Sequence, residues 1–534
     1  MPEITKAQSQ IANRKSQISW FLFAFVIIAV YFFALSIPLL GPDETRYSQV
    51  AREMFERNDW ITPTLGGFDW FEKPALLYWL QIASYKLFGV SEFAARFGSA
   101  LFGLGTIVSL WILGRFSATE NTENHREFED KNDFSSSFVN SVAKKDFANY
   151  LALIAASSIG LLAFSRGASF DIILTFPITA ALVSFFLFDR SAKKSGFNFY
   201  FLLFTFYFFI GISLIAKGLV GIVFPFAIAA FYHVLSWKLP SKKFIFSLIW
   251  GTILALIVAS AWYLPMYQAN GWKFIDEFFI QHHFQRYTSN KYQHPQPFWF
   301  FFAILPLMTI PWLPFFLASI WNLFKDFFQR KNPPFSFSRF LPFSFSPLLL
   351  FSFAWLAVPL VFFSLSGSKL PGYILPVLPA ALILTAFEVY KFAQKSAKRE
   401  IFIKIVAFAT FVVVAIILQF FIMDYARHET TKYLIETANA QGFKEQKIVN
   451  LYAVQHSLEF YAARRLVRET DGKLKRYDDF SVLINDMKRE NTSEMLVVVS
   501  NHAAKNLTES GLVEAKIIDD NGEISLIFIK IKNF

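Results

Sequence analysis

SWFLFAFVIIAVYFFALSIPLL, residues 19–40, carries no charged side chain from end to end. A helix of about 20 such residues crosses the hydrocarbon core of a bilayer, so the stretch reads as a membrane span. It is longer than the apolar part of a signal peptide, and no small-residue cleavage site precedes the polar Gly41, so it reads as a retained span. Comparable apolar runs begin near residues 92, 148, 170, 198, 219, 244, 298, 342, 371 and 401, about eleven in all. The whole composition agrees with them: of 534 residues, 54% are hydrophobic, 17% are charged and 69 are Phe. A bilayer is the natural solvent for such a chain.

Orientation follows from the short loops, because cytoplasmic loops are enriched in Lys and Arg. Lys6, Arg14 and Lys15 precede the first span, Lys144 and Lys145 lie before the third, and Arg190, Lys193 and Lys194 follow the fourth. The alternation continues through Lys238, Lys242 and Lys243, then Arg330, Lys331 and Arg339, then Lys391, Lys395, Lys398 and Arg399. Every second loop is basic, so these are expected inside. The intervening loops, 41–91, 166–170, around Lys217, 266–297 and around Lys369, are expected outside. An Asn-, Ser- and Glu-rich segment at 117–146 reads as a solvated insertion.

The net charge of +11 could suggest a nucleic-acid partner. Residues 424–534, however, hold 16 Lys and Arg against 17 Asp and Glu, leaving 35 against 23 in the apolar part. The excess belongs to membrane loops, and no nucleic-acid partner is expected. With no Cys, disulfides, thiolate metal sites and thiol catalysis are ruled out. No Gly-rich phosphate loop occurs, which weakens an ATP-driven transporter reading. After residue 423 the composition becomes that of a soluble domain, with strand-like runs at Ile448–Val454, Met495–Val499 and Ile524–Ile531. The expected architecture is therefore an all-α polytopic membrane domain, 1–423, with two interfacial helices in its first outer loop, and a small C-terminal α/β domain, 424–534.

The first outer loop opens with Asp43, Glu44, Thr45, Arg46 and Tyr47, then an amphipathic run burying Tyr47, Val50, Met54 and Phe55 on one face. Pro42 followed by two acids is also a plain helix start. Farther on, Trp70-Phe71-Glu72-Lys73-Pro74 opens a second interfacial helix containing Leu76, Leu77, Tyr78 and Trp79, where Trp70 and Trp79 read as belt residues. Glu72 and Lys73 can pair internally or meet an anionic head group. Arg166 and Asp171 flank the next outer turn and could pair to tighten it. Lys217 and Lys369 are cations at outer span ends, which snorkelling could explain one at a time. Taken together, Arg46, Lys73, Arg166, Lys217 and Lys369 lie outward against the usual bias, alongside Asp43, Glu44, Glu72 and Asp171. A set with both charge signs can hold a phosphate and handle a proton. Arg286 lies in the 266–297 loop, beside His282 and His283. Adjacent histidines point apart on a helix and make a poor metal motif without help from elsewhere. No cofactor is required on this reading, and a divalent metal is left open.

These landmarks resemble the C-type membrane glycosyltransferases of the protein-mannosyltransferase superfamily, and most of all the lipid A aminoarabinose transferases. The resemblance covers about the first 400 residues and rests on five motifs in order: Asp43-Glu44-x-Arg46-Tyr47, Phe71-Glu72-Lys73-Pro74, Arg166 with Asp171, Ala216-Lys217-Gly218, and Ser368-Lys369-Leu370-Pro371-x-Tyr373. Ala75, Trp70 and Leu219 depart from the usual pattern, which leaves sugar and acceptor identity open. The resemblance implies an inverting transferase that takes a sugar from a polyprenyl-phosphate donor at the outer face of a bacterial inner membrane, as a monomer among membrane lipids. It implies Asp43 as the leading acid, with Glu44 and Asp171 beside it as catalytic candidates. Arg46, Tyr47, Glu72, Lys73, Arg166, Lys217, Arg286, Lys369 and Tyr373 are then donor-phosphate and substrate ligands. An amino sugar and lipid A are the implied donor group and acceptor. A protein or glycan acceptor within the superfamily, a lipid-linked sugar transporter and a non-catalytic scaffold are the competing readings. Against the transporter, the charges cluster at span ends and not at midplanes.

Overall fold

The computed structural model describes residues 20–120, 146–191, 197–285, 295–329 and 346–532. The insertion expected at 117–146 falls largely outside these residues, as do Arg286 and many of the basic residues used to orient the spans. The chain forms two compact units: residues up to 33 with 72–76 and 99–413, and residues 34–71 with 77–98 and 414–534.

The first unit is helical. Among the described residues, seven helices are long and apolar enough to cross a membrane, and Trp20–Phe32, Phe147–Ser157 and Val220–Ser236 are shorter apolar helices. The protein is a multi-pass membrane protein. Several expected spans are broken, each for a local reason. The first helix, α1 (Trp20–Phe32), stops short of Leu40 because Ala34 turns into the left-handed region at φ +59°. The run near 298 divides into Phe300–Met308 and Leu313–Gln329 around Pro311, which has no N–H to continue the ladder. The run near 148 divides at Ser158, whose backbone is extended. These last two breaks meet: the Ile159 N–H donates to the Ile310 carbonyl at 2.8 Å, and the Trp312 indole donates to Ser157 Oγ at 3.0 Å. Backbone groups opened in an apolar interior thus find partners, as hydrocarbon requires.

Helices Phe170–Ser191 and Phe197–Lys217 pack side by side, and Lys242–Ile275 packs on the second of them. Val220–Ser236 packs on Pro347–Ser364, and Leu378–Ala393 on both Phe147–Ser157 and Leu313–Gln329. The Phe-rich composition fills these seams. Phe186 stacks on Phe351 with centroids 4.9 Å apart, and Phe185 meets Phe206 and Phe244 at 5.7 and 5.3 Å. Such contacts add to area burial by fixing ring geometry.

In the second unit, helix α2 (Gly41–Arg57) buries Tyr47, Val50 and Met54 of the face its spacing predicts, and Phe55 is half-buried. A short hairpin of β1 (Thr64–Leu65) and β2 (Phe68–Asp69) follows. The buried Glu53 holds it, accepting from Thr64 Oγ1 at 2.7 Å and from the Gly66 and Gly67 amides at 2.6 and 3.1 Å. Helix α3 (Leu76–Phe88) starts after Pro74, later than the sequence suggests. Helix α4 (Glu92–Glu120) begins in this unit and continues into the other.

The C-terminal part is an α/β fold with a five-stranded sheet ordered β4 (Arg476–Tyr477), β3 (Ile448–Leu451), β5 (Glu494–Ser500), β7 (Ile524–Ile531), β6 (Val513–Asp520). β3 is parallel to both its neighbours, and β7 is antiparallel to both of its own. Alternation sorts the side chains: Val449, Val497 and Ile527 pack under helices Phe480–Arg489 and Asn501–Thr508, while Ile448, Leu496 and Leu526 pack against Lys432–Ala440 and Leu458–Tyr461. Three of the five strands match the expected runs. β6 is one of the two edge strands, and its Glu514, Lys516, Asp519 and Asp520 mask it in an apolar search.

Candidate active site

Asp171 lies in the first turn of Phe170–Ser191, where a carboxylate complements the positive end of the helix dipole. Lys217 ends Phe197–Lys217, where a cation complements the negative end, and Gly218 at φ +74° terminates that helix. Because the two helices are antiparallel neighbours, these two ends coincide, and the Lys217 ammonium pairs with Asp171 Oδ1. The same ammonium lies 4.9 Å from the centre of the Tyr373 ring, a cation–π arrangement. Tyr373 comes from the 3₁₀ segment Pro371–Val377. Its neighbour Gly372 passes so near Asp171 that a Cβ there would collide with Oδ2. Ser169 Oγ donates to that oxygen at 3.3 Å. Three motifs distant in sequence therefore converge on one cluster.

Other cations of this unit are engaged differently. Arg166 does not take Asp171, because Lys217 holds it. Arg166 instead donates to the Phe33 carbonyl at 2.6 Å and to the Val30 carbonyl, closing the C-terminal end of α1, where carbonyls have no helical partner. Lys369 is buried and donates to the Ser366 and Gln296 carbonyls at 2.6 and 3.0 Å. Lys73 pairs with Glu72 at 2.7 Å, both largely buried.

In the other unit, Arg46 donates to Asp43 Oδ1 at 2.7 Å and to the Pro42 carbonyl at 3.0 Å, and its guanidinium lies 5.8 Å from the Trp70 ring centre. The Asp43 side chain is 57% exposed, so it is available to an arriving substrate. Glu44, one residue on, points elsewhere. Both its oxygens accept from Arg96 at 2.7 Å, and one also accepts from the Leu40 amide at 2.8 Å. Arg96 is buried and also donates to the carbonyls of Leu35, Ile37 and Pro38. This geometry makes Glu44 an anchor for the entry to α2. Tyr47 is buried in the inner face of that helix.

Residues 452–460 of the C-terminal part lie along α2. The His456 carbonyl accepts from Thr45 Oγ1 at 3.1 Å, and Arg52 donates to the Phe460 carbonyl at 3.3 Å. Burial pushes the His456 imidazole below its ordinary value, Arg46 adds to the shift and Asp43 opposes it. Arg96, Glu53, His456 and Gly372 do not appear among the candidates read from the sequence. Arg96 had a legible signal, since it is the one charge in the apolar run from Phe93 to Leu113. His282 lies in the π-helical segment Asp276–Gln285, and the side chain of His283 lies outside the described residues. Among the described residues no three His, Asp or Glu side chains gather as a metal-ligand set.

Residues 17–122 match the family model for dolichyl-phosphate-mannose-protein mannosyltransferases. Over nearly its whole length, the chain superposes on ArnT from Cupriavidus metallidurans bound to undecaprenyl phosphate, with a TM-score of 0.68, 21% identity and coverage of 95% of this chain and 97% of that one. It has the fold of the C-type membrane glycosyltransferases. The chain is also similar to the undecaprenyl phosphate-α-4-amino-4-deoxy-L-arabinose arabinosyl transferase of Yersinia enterocolitica, 31% identical over 370 residues, covering 68% of this chain and 58% of that one. A second such transferase, from Proteus mirabilis, is 28% identical over 418 residues, covering 76% of this chain and 66% of its own length. The matched region thus spans less than two thirds of these relatives. Four of the five sequence motifs lie beyond or at the edge of secondary-structure elements of this fold, where loops carry function on a rigid frame.

Proposed function

We propose that the protein transfers a sugar from a polyprenyl-phosphate donor to lipid A, with inversion, at the periplasmic face of a bacterial inner membrane. The observation that carries this reading is the Lys217 ammonium held between the Asp171 carboxylate and the Tyr373 ring at one end of the helical unit. In glycosyl transfer the anomeric C–O bond breaks while negative charge grows on the departing lipid phosphate. A cation fixed before the reaction stabilises that charge more in the transition state than in the ground state. Asp171 keeps Lys217 in place and is displaced in part when a phosphate arrives. Lys73, prepared in the same way by Glu72, is a second donor-phosphate ligand. Arg166 and Lys369, bound to carbonyls, position the backbone around the donor. The names of the similar transferases favour an aminoarabinose donor, and Asp43 suits the amino group or ring hydroxyl of such a sugar. A lipid A phosphate is already an anionic nucleophile, so Asp43 need only orient; a hydroxyl acceptor would require it as a base. Residues 1–423 are proposed as the transferase domain and 424–534 as a periplasmic domain. The match to the protein-mannosyltransferase model over residues 17–122 keeps a protein acceptor as the second reading.

Expression in a host lacking its own lipid A sugar transferase, with mass spectrometry of the extracted lipid A, tests the proposal. A pentose- or hexosamine-sized increment with wild type and none with Asp43→Ala is expected. No increment from a well-inserted wild type would remove lipid A as acceptor.

A further inference from the structure

The 3₁₀ segment that carries Tyr373 runs directly into helix Leu378–Ala393, and the far end of that helix has no role in the reaction as described above. There a short turn leads into Ala397–Ile416, and four cations, Lys391, Lys395, Lys398 and Arg399, surround it. The acids on either side are already engaged. Glu388 accepts from Asn322 Nδ2 at 2.9 Å, and Glu400 pairs with Lys404 at 2.7 Å. Among the described residues, none of the four cations pairs with a carboxylate. A basic loop at a span end is ordinary, and freely hydrated side chains would satisfy that bias. Two of these side chains are instead fixed on protein. The half-buried Arg399 guanidinium lies 4.8 Å from the centre of the Phe392 ring, and the half-buried Lys391 ammonium 5.9 Å from that of Phe387. An aromatic face orients a cation and leaves its charge uncompensated. Lys395 and Lys398 are exposed. Ile401, Phe402 and Ile405, which share the helix face of Lys398, are each more than half exposed. The helix that carries them belongs to the least buried of the seven candidate spans.

We propose that this turn binds an anionic phospholipid with two phosphodiester groups, the cardiolipin class. Four cations without acidic partners exceed what one phosphodiester neutralises, and a guanidinium can take two phosphate oxygens at once. The exposed apolar face beneath Lys398 then receives acyl chain, in line with the charged rim above it. A soluble phosphate would use the cations and gain nothing from that face, so charge and apolar surface together select a lipid. Basic clusters beside span ends attract anionic head groups, each exposed cation contributing about fivefold in affinity. The two ring-mounted cations add a fixed geometry to that attraction, which a mobile charged loop lacks.

The test uses the full-length protein, purified in detergent and stripped of lipid, then titrated with tetraoleoyl cardiolipin, dioleoyl phosphatidylglycerol or dioleoyl phosphatidylcholine. Native mass spectrometry counts the lipid retained. One cardiolipin is expected to bind at least tenfold more tightly than phosphatidylglycerol, with phosphatidylcholine weaker still. Joint replacement Lys395→Gln and Lys398→Gln should weaken cardiolipin about 30-fold, from two exposed charges. Lys395→Arg with Lys398→Arg should bind as wild type does. Phe392→Leu keeps every charge and removes the ring beneath Arg399, so it should lose about threefold or more; this variant decides the matter if the Gln pair fails to insert. Wild-type affinity for cardiolipin in both the Gln pair and Phe392→Leu overturns the proposal. Equal retention of cardiolipin and phosphatidylglycerol overturns the two-phosphate assignment, and pyrophosphate binding as tightly as cardiolipin would replace the lipid by a soluble phosphate.

Discussion

Lys217 and Asp171, 46 positions apart, close an ion pair across the ends of two antiparallel helices, and Tyr373 lies against the ammonium. The pair is largely shielded, with side-chain exposures of 19% and 18%, so it is prepared before any substrate arrives. Lys217→Gln is expected to lower transfer about 100-fold or more, the scale seen when one preorganised charge-stabilising group is removed. Asp171→Asn should lose activity as well, by releasing the ammonium. If the two act as a unit, the double variant will be little worse than the worse single one. Product mass spectrometry on all three variants checks this, and additive losses would separate the roles.

Gly372→Ala adds one methyl group where there is no room, because its Cβ would run into Asp171 Oδ2 and the Phe164 ring. The carboxylate must then move from Lys217. Transfer should fall at least tenfold while the protein still inserts, with its unfolding temperature lowered only as far as the roughly 1–3 kcal/mol that overpacking costs. A wild-type rate in this variant would remove the requirement for close approach.

Asp43 and Glu44 are adjacent in sequence and separable by experiment. Glu44 is bound to the buried Arg96, and breaking a buried ion pair costs about 3–5 kcal/mol because the partner charge is left uncompensated. Arg96→Met and Glu44→Ala should therefore lower the unfolding temperature along with activity. Asp43→Asn, on an exposed side chain, should lose transfer at unchanged stability. Thermal unfolding in detergent micelles, paired with the transfer assay, distinguishes the two patterns.

Much of this organisation is legible in the sequence because it depends on local pattern. The span-end positions of Lys217 and Lys369, the Tyr47, Val50 and Met54 face of α2, and the apolar strands β3, β5 and β7 all follow from composition or periodicity. What escapes is whatever depends on partners distant in sequence. Lys217 and Arg166 look alike as cations at span ends, but one meets Asp171 and the other caps α1 through two carbonyls. Glu44 looks as catalytic as Asp43 until Arg96, 52 residues on, is found holding it. Breaks at Ser158 and Pro311 compensate one another through the Ile159 to Ile310 bond, so the continuous spans expected there give way to half-length helices. β6 escapes for a different reason, since an edge strand is blunted by charge.

The C-terminal part offers a prediction in pH. Glu459 is buried, and burial raises its carboxyl above the ordinary carboxylate range despite the buried Arg468 that pairs with it. The folded state then holds the Glu459 proton more tightly than the unfolded chain does. Stability from this group is fully present below the unfolded value, about 4.5, and is lost as pH rises through the folded value, because over that window the native state binds more protons. Asp486 shifts the opposite way, lowered first by its bond from Lys475, and its contribution is lost only as pH falls below the ordinary Asp value, outside that window. Glu459→Gln, which stands in for the protonated carboxyl, should lie nearest to wild type at the low end of the range and show a flatter stability profile above about pH 4.5. Thermal unfolding of full-length wild type and variant from about pH 4.5 to 7 gives the two slopes. Parallel slopes would mean that Glu459 stays ionised in the folded protein throughout, with Arg468 outweighing its burial.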